Sequence, residues 1–132
     1  MRKLLIVMLT MIAFLFIGCN AKVYDVHNSP ISNNGNHKIT ETEIETSIIN
    51  AGASLGWVIK KLKDGEMQGT LNLRHHLAVV SIKYNQEKYS IVFVNSNNLD
   101  YKPGADSIHS NYNGWIQNLD RAIQVKLNTL TL

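Results

Sequence analysis

The sequence predicts an α+β domain, and three observations carry that prediction. A capped stretch with helical spacing runs over residues 41–54, an alternating pattern with a turn signal occupies 57–95, and an apolar stripe of helical period follows Pro103-Gly104. An N-terminal helix, a four-stranded antiparallel meander and a C-terminal helix make two layers when both helices cover one face of the sheet. Residues 40–132 are enough for one such core, and no internal repeat interrupts them.

The first helix is the most strongly signalled element. Thr40 and Glu43 have the spacing of a capping box, and Ile39 and Ile44 occupy the positions of a hydrophobic staple. Ile44, Ile48, Ala51 or Gly52, and Leu55 continue along one face. Glu41, Glu43 and Glu45 suit the positive end of the helix dipole.

Alternation follows. Trp57–Lys63 and Glu66–Arg74 flank Asp64-Gly65, a two-residue hairpin signal. A simple turn there sets Leu62 opposite Met67, Val58 opposite Leu71 and Lys60 opposite Gly69, where the missing side chain leaves room for a bulky neighbour. The third and fourth strands, His76–Tyr84 and Tyr89–Asn95, are joined by Asn85–Lys88, which sets Tyr84 against Tyr89, Ile82 against Ile91 and Val80 against Phe93. Their other face is half polar, with Ser81, Lys83 and Ser90 beside Leu77, Val79, Val92 and Val94. In the last helix Tyr112, Trp115, Ile116, Leu119, Ile123, Leu127 and Leu130 form the stripe, with Asp106 and Ser110 as candidate N-caps.

Residues 1–18 have the layout of a secretory signal peptide: Arg2 and Lys3, then almost unbroken apolar sequence from Leu4 to Ile17. The run is short for a membrane span. Phe16-Ile17-Gly18-Cys19 resembles the lipobox of bacterial lipoproteins, whose cysteine is acylated and becomes the first residue, although Phe16 stands where Leu is usual. Cys19 is the sole cysteine, so no disulfide is expected. The net charge of +3 falls to +1 without Arg2 and Lys3, which offers no argument for nucleic acid. Between Cys19 and the first helix, residues 19–39 are rich in Asn, Ser, Pro and Gly and read as a flexible tether. Such a coil spans roughly 25 Å, and at most about 65 Å when straight.

The motifs Ser96-x-Asn98-Leu99-x-Tyr101 and Ile108-His109-x-Asn111-Tyr112-Asn113-x-Trp115, with Trp57 and Tyr89-Ser90-Ile91 before them, resemble a family of small bacterial lipoproteins of uncharacterised function. The resemblance covers most of the chain after residue 39. It implies a lipid-anchored envelope protein and brings no catalytic residue, substrate or cofactor.

The residues themselves point to no catalysis. His75, His76, His109 and Asp106 are metal-ligating types, yet adjacent strand residues point to opposite faces and no spaced histidine pair occurs. No nucleophile elbow, phosphate loop or dinucleotide fingerprint is found, so catalytic and metal sites are expected to be absent, and a hydrolase is a distant third reading. The seam from Ser96 to Trp115 divides into two sets. Ser96, Asn98, His109, Tyr112 and Trp115 read as the structural corner that docks the last helix. Asn97, Asp100, Tyr101 and Asn111 read as a rim for a ligand or partner. Two functions follow as expectations: an envelope interaction or structural module with a protein partner, facing the periplasm, or a small-ligand or glycan-binding module that uses the seam. Asn20 after Cys19, where Asp favours inner-membrane retention, points to the outer membrane.

Overall fold

A computed structural model describes residues 19–33 and 37–132. The expected signal segment, and residues 34–36 of the expected tether, lie outside the described residues. In chain order the elements are β1 (Asn20–Lys22), β2 (Val26–Pro30), α1 (Glu41–Ser54), β3 (Trp57–Lys63), β4 (Glu66–Leu73), β5 (His76–Tyr84) and β6 (Lys88–Asn97). After these come a 3-10 turn (Pro103–Ala105), β7 (Ser107–His109) and α2 (Ser110–Thr129). The α+β class holds, with a different strand count. The main sheet has five antiparallel strands in the order β2-β6-β5-β4-β3, and β1 and β7 form a separate two-stranded ribbon.

The first correction concerns the tether. Residues 20–31 are folded, and two strands precede the helix that the sequence placed first. β2 pairs with β6 through Val26↔Ile91, Ser29↔Tyr89 and Pro30↔Lys88, and the Ile31 N–H donates to the Glu87 carbonyl at 2.8 Å. Val26 and Ile31 are only 7% and 6% exposed, and Ile39 is fully buried. The polar residues that made this stretch look like coil are used in the fold. Asp25 accepts from the Phe93 N–H (2.9 Å), the Asn28 N–H donates to Ser90 Oγ (2.9 Å), and Gln124 donates to Ser29 Oγ (2.8 Å). Mean composition describes the segment poorly because a few well-spaced apolar residues offset its ordering entropy.

α1 begins as its capping box requires. The Glu43 N–H donates to Thr40 Oγ1, and the Glu43 carboxylate accepts from the Thr40 N–H at 2.8 Å. Thr40→Ala should lower stability by about 1 kcal/mol in denaturant unfolding. Ile39 and Ile44 are both fully buried at the same end.

The β3–β4 hairpin carries the second correction. Observed pairs are Trp57↔Leu71, Ile59↔Gly69 and Lys61↔Met67, then Lys63↔Glu66, with a register shift that leaves Leu62 as an extra residue. A shift of one residue exchanges the faces of a strand. Trp57 and Ile59 therefore face the core, while Val58 and Leu62 are 57% and 59% exposed. Gly69 does leave room for bulky neighbours: Val80 Cγ2 and Trp57 Cε3 lie 3.0 and 3.4 Å from where a Gly69 Cβ would stand. The β5–β6 pairs Tyr84↔Tyr89, Ile82↔Ile91 and Val80↔Phe93 form as expected.

Both helices are tied to the sheet by tyrosine hydroxyls. The Tyr84 hydroxyl donates to Glu45 of α1 at 2.7 Å, and the Tyr89 hydroxyl donates to Asp120 of α2. Burial and the Glu45 carboxylate push the Tyr84 phenol up to about 12. Glu45 is held below the usual value of 4.5, first by the Lys61 hydrogen bond and then by Tyr84. Unfolding releases that hold, so the unfolded chain binds more protons as the solution is acidified. The contribution of Glu45 is complete above its usual value and is lost as pH falls through the lower folded value. Glu45→Gln should flatten the acid side of a Tm-against-pH curve.

Candidate functional site

The seam lies where β6 ends and the chain turns through Asn98 and Asp100, both with positive φ (58° and 51°), toward the β7–α2 junction. Asn and Asp tolerate that conformation better than other side-chain-bearing residues. The corner is held by a histidine the sequence did not assign to it. His76 Nδ1–H donates to the Asn98 carbonyl at 2.7 Å, and Asn98 Nδ2 donates to the His75 carbonyl at 3.2 Å. His109 ties the same corner to the start of α2. It is the N-cap of α2, its Nδ1 accepting from the Asn111 N–H at 3.2 Å, while its own N–H donates to the buried Leu99 carbonyl at 2.8 Å. Neither expected cap takes that place: Asp106 closes the 3-10 turn with φ 47°, and Ser110 is the first helical residue.

The aromatics are mostly structural. Tyr112 is fully buried, and burial followed by the nearby Asp25 charge raises its phenol above the ordinary value. Its hydroxyl has no hydrogen-bond partner among the described residues. Phe93 meets Tyr112 edge to face at 5.5 Å and packs on the half-buried Tyr101 at 4.4 Å. Trp115 is half-buried, with His76 tilted against it at 6.2 Å. Beside Trp115 is a cavity of about 80 Å³ lined also by Leu55, Trp57, Leu71, Leu73 and Asn118. Ser96 is half-buried opposite Ala78.

The rim set does not converge on that cavity. Asn97 is exposed opposite Leu77, and Asn111 is exposed in the first turn of α2. The Asp100 carboxylate accepts from Asn20 Nδ2 and faces Lys102 Nζ at 3.6 Å; Asn20 first, then Lys102, holds it below the usual carboxylate range. Tyr101 is committed to Phe93. Two of the four rim residues thus serve the fold. Tyr101→Ala should lower stability by about 1–3 kcal/mol through lost apolar contact, whereas Asn111→Ala should stay within about 0.5 kcal/mol in the same unfolding measurement.

A further residue escaped the sequence reading. Asn113 clamps the N-terminal segment, its Oδ1 accepting from the Tyr24 N–H (2.9 Å) and its Nδ2 donating to the Lys22 carbonyl (2.8 Å). Nothing local marks it, because both partners are some ninety positions away in sequence. Cys19 is exposed, and its carbonyl accepts from the Ser110 N–H at 2.8 Å.

A second open surface lies on the sheet face that carries exposed Val58 and Leu62. Val58, Lys60, Leu62, Gln68, Thr70 and Asn72 bound a shallow depression there, and Leu77, Val79 and Val92 are half-buried next to them. Among the described residues no group of three or more His, Cys, Asp or Glu side chains could hold a metal ion, and no helix is long and apolar enough to cross a membrane. Comparison with protein-family models, with curated proteins and with solved structures finds nothing that matches this chain.

Proposed function

We propose that this chain is a lipid-anchored protein of the bacterial envelope, acylated at Cys19 and facing the periplasm, whose domain is a non-catalytic interaction module. The observation that carries the anchor is Phe16-Ile17-Gly18-Cys19, an apolar-to-small-to-Cys ending on a signal-like segment in a chain with no other cysteine. The outer membrane is favoured by Asn20 at the second position. For the interaction the supporting observation is the open sheet face where exposed Val58 and Leu62 lie beside Lys60, Gln68, Thr70 and Asn72. A mixed apolar and amide surface of this kind suits a protein partner. Glycan or small-ligand binding at the seam has less behind it, because Tyr101, Tyr112, Asn98 and Asp100 are already engaged by neighbouring residues.

The test has two arms. Labelled palmitate should enter the wild-type chain and be lost in Cys19→Ser, which should also leave the membrane fraction; an unlabelled wild type contradicts the anchor. A photo-cross-linker at Thr70 should trap one discrete envelope protein in cells, and one at Arg121 on α2 should not. Equal, diffuse trapping at both positions contradicts the sheet face as the interaction surface.

A further inference from the structure

We infer that the lipid anchor carries no leash, so that the domain stands end-on against the bilayer with the β1–β7 ribbon at the headgroups. The inference rests on acylation of Cys19, as proposed above, and adds which part of the molecule meets the lipid. The chain is stitched to the fold from Cys19 onward. The Cys19 carbonyl takes the first N–H of α2, and Asn20, Ala21 and Lys22 pair with His109, Ile108 and Ser107. The Asn20 side chain reaches Asp100, the Val23 N–H donates to the Asp106 carbonyl at 2.9 Å, and Asn113 clamps Lys22 and Tyr24. Ala21 and Ile108, paired in the ribbon, are respectively half-buried and fully buried. A flexible coil would let the domain explore tens of ångströms of height; here the first backbone group fixed to the domain belongs to the acylated residue itself.

The topology then says which end is near the membrane. The ribbon joins the sheet at the end of β6, through the His109 N–H to the Leu99 carbonyl. The opposite end holds the Asp64-Gly65 turn and the Asn85–Lys88 loop, tied together by the Tyr84 N–H to the Gly65 carbonyl at 3.0 Å. β5 runs between the two ends over nine residues, His76–Tyr84, which at strand rise is about 27 Å. The strands therefore rise away from the bilayer, and the open sheet face is presented sideways to proteins in the same membrane layer. Acyl chains holding about 0.8 kcal/mol per buried methylene keep that end in place.

The test uses the acylated full chain in phosphatidylethanolamine–phosphatidylglycerol vesicles. Acylation consumes Cys19, so one added cysteine takes a single spin label. Gly104→Cys labels the near end, at a position with open space around it, and Asp64→Cys labels the far turn, at a largely exposed side chain. With a nickel-chelating headgroup lipid, relaxation enhancement should be several-fold greater at residue 104 than at residue 64. A Gly-Ser insert of about 20 residues between Cys19 and Asn20, spanning roughly 25 Å, should bring the two values together. Equal enhancement in the uninserted protein, or greater enhancement at residue 64, overturns the end-on placement while leaving acylation intact. A chain that mass spectrometry shows to be unacylated overturns both.

Discussion

Removal of residues 20–31 is expected to lower the stability of the domain by several kcal/mol, in contrast to the near-zero effect of trimming a linker. Val26 and Ile31 are almost completely buried, and burying such side chains contributes about 1.5–3 kcal/mol each. The deletion also exposes the edge of β6 and takes away Asp25, which accepts from the Phe93 N–H. Loss of that part-buried hydrogen bond adds about 1 kcal/mol. Against a typical domain stability of about 5–15 kcal/mol, the sum threatens folding itself. Val26→Ala and Ile31→Ala each give a milder reading, about 1–3 kcal/mol apiece in urea denaturation. An effect below about 0.5 kcal/mol for both, the range of an ordinary surface change, would mean the segment is loose after all.

Gly52→Val is expected to destabilise strongly for a different reason. Gly52 is buried in α1 where the helix crosses β3. A Cβ there would meet the terminal carbon of Ile59, lie 2.9 Å from Ile59 Cγ1 and lie 3.3 Å from Trp57 Cβ. Ile59 can turn its terminal carbon, but Trp57 Cβ is fixed by the strand. Leaving glycine gains up to about 1 kcal/mol of helix propensity, whereas overpacking costs about 1–3 kcal/mol and occasionally more. Overpacking wins, and valine, with two further carbons, should cost about 2–3 kcal/mol. Gly114→Ala in α2 is the control. Nothing lies within 4 Å of its added Cβ, so it should stabilise by about 0.5–1 kcal/mol. Opposite signs at two helical glycines separate packing from propensity; a stabilising Gly52→Val would refute the close approach of α1 to β3.

Local chemistry was readable wherever partners are close in sequence. The Thr40–Glu43 box, the Asp64-Gly65 turn and the Val80–Phe93 register all depend on residues joined by short connections. Three features needed the folded chain. The extra residue at Leu62 reverses the faces of β3, and alternation alone cannot show a bulge, since both Trp57/Ile59 and Val58/Leu62 are apolar sets. The N-terminal strands are short and polar, and their apolar residues reach the core only because β6 supplies an open edge. The second histidine at the corner was not legible because His76 and Asn98 are 22 positions apart and meet only when β5 and β6 pair. For the same reason the rim looked richer than it is. Asp100 has its partner in Asn20, 80 positions away in sequence.

The placement of Cys19 and the orientation drawn from it depend on residues 20–31 being part of the fold in solution. Native-state amide hydrogen exchange reads this directly. Val23 and Ile31 donate to the Asp106 and Glu87 carbonyls at 2.9 and 2.8 Å, so their amides should be protected by orders of magnitude over a free coil and should exchange together with those of β6. Exchange of both amides at coil rates, with β6 and α2 still protected, would show a chain that leaves Cys19 on a loose leash.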